Sequence, residues 1–194
     1  MDTLTTNQLI VIAAAIVLVA AAIAVFASRR SRQRHAGLKD RFGPEYDREV
    51  EKHGNVARAE RELIARQKRV EERHLKPLAE ADRARFSADW RVVQARFVDD
   101  PSSAVSAAHD LIKAVMLARG YDIEDYDTRV ADLSVGHANV VQHYRAARGL
   151  ADANREGRAN TEELRQAVVH YRALFADLLE QPTPVNGRLQ EARA

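Results

Sequence analysis

From Leu9 to Ala27 every residue is apolar, and the run ends against an arginine cluster, Arg29-Arg30-Ser31-Arg32-Gln33-Arg34. No other feature narrows the folding options of this chain as much. As a helix rising 1.5 Å per residue the run extends about 28 Å, against a hydrocarbon core of about 30 Å. No charge falls between Asp2 and Arg29, so lipid would receive no ion. A helix would also satisfy its own backbone N–H and C=O groups there. A segment apolar on every face does not suit a helix resting on a soluble core. The reading is a transmembrane anchor over residues 1–28.

Charge gives the anchor a direction. Its N-terminal flank carries Asp2 and no Lys or Arg, whereas Arg29, Arg30, Arg32, Arg34, Lys39 and Arg41 follow it. Basic flanks stay cytoplasmic, so the expected placement is a bacterial inner membrane, N-terminus out and C-terminal domain in. Arg29, Arg30, Arg32 and Arg34 are the expected contacts for anionic lipid headgroups. A cleavable signal peptide is the competing reading, resting on Val25-Phe26-Ala27 as a small-residue cleavage site. It lacks the basic segment that precedes the apolar stretch of such peptides, and the stretch exceeds their usual ~7–15 residues.

Past the anchor and the basic stretch that follows it to residue 42, about 150 residues remain, enough for one domain with its own core. The absence of cysteine excludes disulfides, thiolate metal sites and cysteine nucleophiles. The net charge is only +2, and the basic excess gathers next to the apolar run. That is not the footprint of a nucleic-acid-binding domain, so no nucleic-acid partner is expected. Few Gly and Pro, with no sustained β-branched alternation, predict an all-α fold.

The pattern predicts a basic juxtamembrane linker over 29–42, with a helical continuation of the anchor as the alternative, a bundle of five to seven helices over 43–180 and a disordered tail over 181–194. Gly43-Pro44 starts a short helix to His53, with Gly54 closing it and Asn55 capping the next. That next helix, to about His74, is densely charged. Its thin apolar stripe, Val56, Leu63 and Val70, repeats every seven residues and is the candidate partner-contact surface. Pro77 breaks the pattern. Phe86, Trp90, Val93 and Phe97 then form one wide core face. Asp100-Pro101 caps and opens a helix that closes at Arg119-Gly120. A short helix through Val130 and Leu133, one from His137 to about Glu156, and a last one opened by Asn160 and Glu163 complete the set.

The search for chemistry returns little. No His-Glu-x-x-His helix, glycine-rich phosphate loop or nucleophile elbow occurs. Asp122, Glu124, Asp125 and Asp127 lack the central Gly and terminal Glu of a calcium loop. They read as a solvated turn before a helix N-terminus. His109, His137, His143 and His170 are the acid–base or metal candidates, with no supporting spacing. No cofactor, metal ligand or catalytic residue is assigned.

Four strings, Arg41–Asp47, Trp90–Pro101, Arg119-Gly120-Tyr121 and His170-Tyr171-Arg172, resemble a family of uncharacterised bacterial proteins with one N-terminal transmembrane helix and a helical soluble domain. The resemblance implies an inner-membrane setting and brings no activity or site residue with it. Two expectations follow. The first is a membrane-anchored interaction or scaffold protein that binds protein partners or self-associates and is not an enzyme. The second is a small-ligand or metal-binding receptor, or an enzyme, with a polar pocket among the four histidines.

Overall fold

The computed structural model describes residues 6–73 and 75–180, without the side chains of residues 6–14, Val17, Ala27 and Ser31. His74 and the tail expected over 181–194 lie outside the described residues. Eight helices follow in order: α1 Thr6–Phe42, α2 Pro44–His53, α3 Val56–Glu72, α4 Glu80–Asp99, α5 Pro101–Ala118, α6 Tyr126–Gly136, α7 Val141–Arg155 and α8 Thr161–Leu179. No strand occurs among the described residues. The fold is all-α, with one helix more than the upper count expected for the bundle once α1 is included. Two compact units divide between Asp40 and Arg41.

The first unit holds most of α1. The basic stretch expected as a linker is helical, since α1 continues unbroken to Phe42. Its described apolar side chains run, apart from Val17, from Ala15 to Phe26. That covers about 18 Å, short of a ~30 Å hydrocarbon core. The expected anchor over 1–28 is therefore corrected: among the described residues, no helix is long and apolar enough to cross a membrane. The Leu9–Ala14 part of the run lies outside the described side chains.

The second unit begins at Arg41. Gly43 separates α1 from α2 at φ 48°, a left-handed conformation that glycine adopts without steric penalty. Pro44 then occupies the first turn of α2, where its missing N–H costs no hydrogen bond. Asn55 accepts from the Arg58 N–H to cap α3. Asp100 caps α5 through the Ser103 N–H. Asn160 and Glu163 close a reciprocal capping box on α8. Short polar side chains at these positions satisfy amides that have no intrahelical partner.

Packing places α5 at the centre, against α4, α7 and α8, while α7 and α8 pack on each other. Val105, Ile112, Val115, Met116, Tyr144, Ala147, Tyr171, Leu174 and Leu178 are fully or nearly fully buried there. Trp90 of α4 stacks on Phe175 of α8, with ring centroids 4.8 Å apart and planes at 17°. The aromatic face of α4 is thus core at Phe86, Trp90 and Val93, with Phe97 at its edge. α2 and α3 pack as a pair, and α3 reaches the rest through α6.

Charged staples join these layers. Glu45 of α2 is completely buried. It accepts from Arg145 Nη1 and Nη2 and from Gln142 Nε2 at 2.6 Å, all on α7. Arg69 of α3 and Arg73 at its C-terminal cap converge on fully buried Asp132 of α6, at 3.1 and 3.2 Å. Arg66 of α3 meets Glu49 of α2 at 2.7 Å. Each is a carboxylate that would be costly to bury without its arginine.

Candidate functional site

The groove between α5 and α7 is built from two identical spacings. α5 supplies Ser106, His109, Asp110 and Lys113; α7 supplies Arg148, Ala151, Asp152 and Arg155. Each set runs i, i+3, i+4, i+7, which is one face of a helix. The two faces enclose a cavity of about 310 Å³. Small residues at Ser106 and Ala151 leave that space where two helices would otherwise meet side chain to side chain.

His109 is the only histidine of the groove. Arg148 Nη1 lies 3.1 Å from its Nε2. A guanidinium only donates, so Nε2 accepts and the proton sits on Nδ1. Nδ1 then donates to the Tyr171 hydroxyl, 2.9 Å away. Burial, followed by the Arg148 charge, pushes the His109 imidazole down to about 4. The ring is neutral in near-neutral water and acts as a strut between a guanidinium and a buried phenol. Burial raises Tyr171 well above the usual phenol range, so its hydroxyl stays protonated.

His137 occupies a different place. It caps the C-terminus of α6 and is buried against Arg119, whose side chain is fully enclosed. Arg119 Nη1 faces His137 Nε2 at 3.4 Å and donates to the Leu178 carbonyl at 2.9 Å. The same logic puts the His137 proton on Nδ1, which donates to Asp177. An Asp–His pair of this kind could orient a general base. Here the lone pair such a base would use is turned to a guanidinium.

His143 of α7 and His170 of α8 do meet. Their Nδ1 atoms are 2.9 Å apart and their ring centroids 5.1 Å apart, so one imidazole donates to the other. Burial, then the His143 charge, lowers the His170 basicity.

The structure therefore distributes the four histidines over three sites. It brings His143 and His170 together, and leaves His109 and His137 in separate surroundings. No group of three or more His, Cys, Asp or Glu suited to a metal ion occurs among the described residues. The acidic stretch after α5 serves local structure. Asp122 accepts from the Glu124 N–H and pairs with Arg73. Asp125 caps α6 through the Thr128 N–H.

The α3 stripe is packed rather than open. Leu63 is 0% and Val70 6% exposed, and Val56 is exposed at 41%. Arg29, Arg30, Arg32 and Arg34 are exposed on α1. Preceding them, Ile16, Leu18, Val19, Ile23, Val25 and Phe26 are each 52–70% exposed. At 100° per residue these six cover about half of the helix circumference.

Sequence reading missed Glu45, Arg119 and Asp132 as buried charges. Arg119 in particular read only as the close of a helix. No family model, no curated protein and no solved structure matches this chain. The expected membership of a single-span bacterial family is corrected on that ground and on the absence of a described spanning helix.

Proposed function

We propose that this is an interaction protein which α1 holds against an anionic lipid surface while the α2–α8 bundle engages protein partners. One observation carries the reading: six large apolar side chains of α1 are exposed over Ile16–Phe26, directly before four exposed arginines. Monomeric soluble proteins rarely leave such an apolar patch uncovered. The adjoining arginines choose its cover, because each basic side chain near an anionic bilayer contributes about 1 kcal/mol. A helix can bury an apolar face at the headgroup boundary without crossing the membrane. The setting that fits is the inner leaflet of a bacterial cytoplasmic membrane.

Full-length protein mixed with phosphatidylcholine vesicles, with and without phosphatidylglycerol, tests the reading by co-sedimentation. Binding should strengthen with the anionic lipid. Replacing Arg29, Arg30, Arg32 and Arg34 by Gln should weaken it on the order of 10²–10³-fold. Ile23→Asp should release the protein from vesicles. A chain that ignores anionic vesicles, or that covers α1 by forming a stable oligomer in their presence, overturns the proposal.

A further inference from the structure

We propose that the α5–α7 groove binds a small oxyanion, a carboxylate or a phosphate, held by Lys113, Arg148 and Arg155. This goes beyond the lipid reading and uses none of α1.

The charges lining the cavity do not balance. Lys113, Arg148 and Arg155 face two carboxylates, Asp110 and Asp152; Asp110 and Arg155 lie on the exposed rim, which leaves Lys113 and Arg148 against Asp152 within the groove. Asp152, half-buried, serves two guanidiniums at once, Arg148 in the groove and Arg155 at its rim. Its Oδ1 lies 2.9 Å from Arg148 Nε and also pairs with Arg155 Nη2. Lys113 is half-buried, makes no ion pair among the described residues, and its field is felt at His109. A half-buried ammonium facing a polar cavity, beside two guanidiniums that share one carboxylate, calls for an anion to complete it.

His109 supplies no charge there, since its imidazole is neutral. Its role is positional: Nε2 takes one Arg148 N–H and the Tyr171 hydroxyl fixes the ring. Arg148 is thereby held from two sides, by Asp152 and by His109, with its Nη2 donors left over. That arrangement presents a positioned guanidinium, with Nη2 as its remaining donor, rather than a mobile chain. The cavity, about 310 Å³, stands at the small end of ligand sites, ~300–1,000 Å³. Both features favour a compact ligand.

The test is calorimetric titration of the full chain in nonionic detergent at low ionic strength, with inorganic phosphate and with acetate in separate arms. Saturable one-to-one binding of either anion is expected, and the arm that responds names the class. Lys113→Gln and Arg155→Gln should each weaken it at least tenfold with thermal stability unchanged. Ser106→Leu, which fills the cavity from an exposed position on α5, should abolish it. Binding should also move the His109 imidazole titration upward in NMR, because an anion nearby favours the imidazolium. The proposal is overturned if neither anion binds saturably. It is equally overturned if Lys113→Gln and Ser106→Leu bind as the unaltered chain does, which would put the anion elsewhere, for example at Arg29–Arg34. Both substitutions leave α1 intact, so vesicle binding reports separately on the lipid reading.

Discussion

At the scale of single residues, buried charge decides more than any surface group. Glu45 is fully buried and takes a fork from Arg145. Arg145→Ala would leave that carboxylate uncompensated inside the protein. The expected loss is about 3–5 kcal/mol, read by urea unfolding. Glu45→Gln together with Arg145→Ala should cost less than Arg145→Ala alone, because the stranded charge is gone. His109 makes the second case, in pH. Its imidazole titrates near 4 in the folded protein, against 6.5 unperturbed. Between those values the unfolded chain takes a proton that the folded chain refuses. Stability contributed by neutral His109 is therefore complete above about pH 6.5, declines as pH falls, and is lost once pH passes below about 4. Unfolding measured at pH 7, 6 and 5 should show a slope that His109→Gln reduces. Arg148→Gln should raise the His109 value only part of the way, since burial is the larger cause.

At the scale of helices, termini carry legible signals and faces carry ambiguous ones. Asn160 accepts from the Glu163 N–H while the Glu163 carboxylate takes the Asn160 N–H. Asn160→Ala should lower stability by about 1 kcal/mol, measured as a fall in Tm. The α5 and α8 boundaries follow from such caps and were readable from Asp100, Pro101, Asn160 and Glu163. α7 was harder. The pattern suggests a start at His137, but that residue closes α6, and α7 opens at Val141. Hydrophobic spacing continues across the turn, so periodicity alone does not show the break. The stripe at Val56, Leu63 and Val70 marks the complementary ambiguity. Seven-residue spacing says that one face is apolar and not what covers it. Here Leu63 and Val70 are covered from within the chain, so Leu63→Asp reports on folding before it reports on a partner.

At the scale of the whole molecule, α2–α8 form a unit separable from most of α1. A fragment beginning at Arg41 should unfold in one cooperative transition, with Trp90 fluorescence and far-UV circular dichroism giving coincident curves. Separate transitions for the two probes would mean that α2–α8 do not fold as one cooperative unit.

Composition and order of residues were enough to determine an all-α fold, the capped starts of α5 and α8 and the α4 aromatic face in the core. Those properties follow from backbone hydrogen-bonding and from the 3.6-residue period, both local. Tertiary structure alone decided that His143 meets His170 while His109 and His137 stand apart. It alone brought Arg148 to His109 and Arg145 to Glu45, 39 and 100 positions away. Such pairings depend on how helices are rotated and stacked against one another. That choice is made by the summed packing of many side chains, and no single stretch of sequence encodes it.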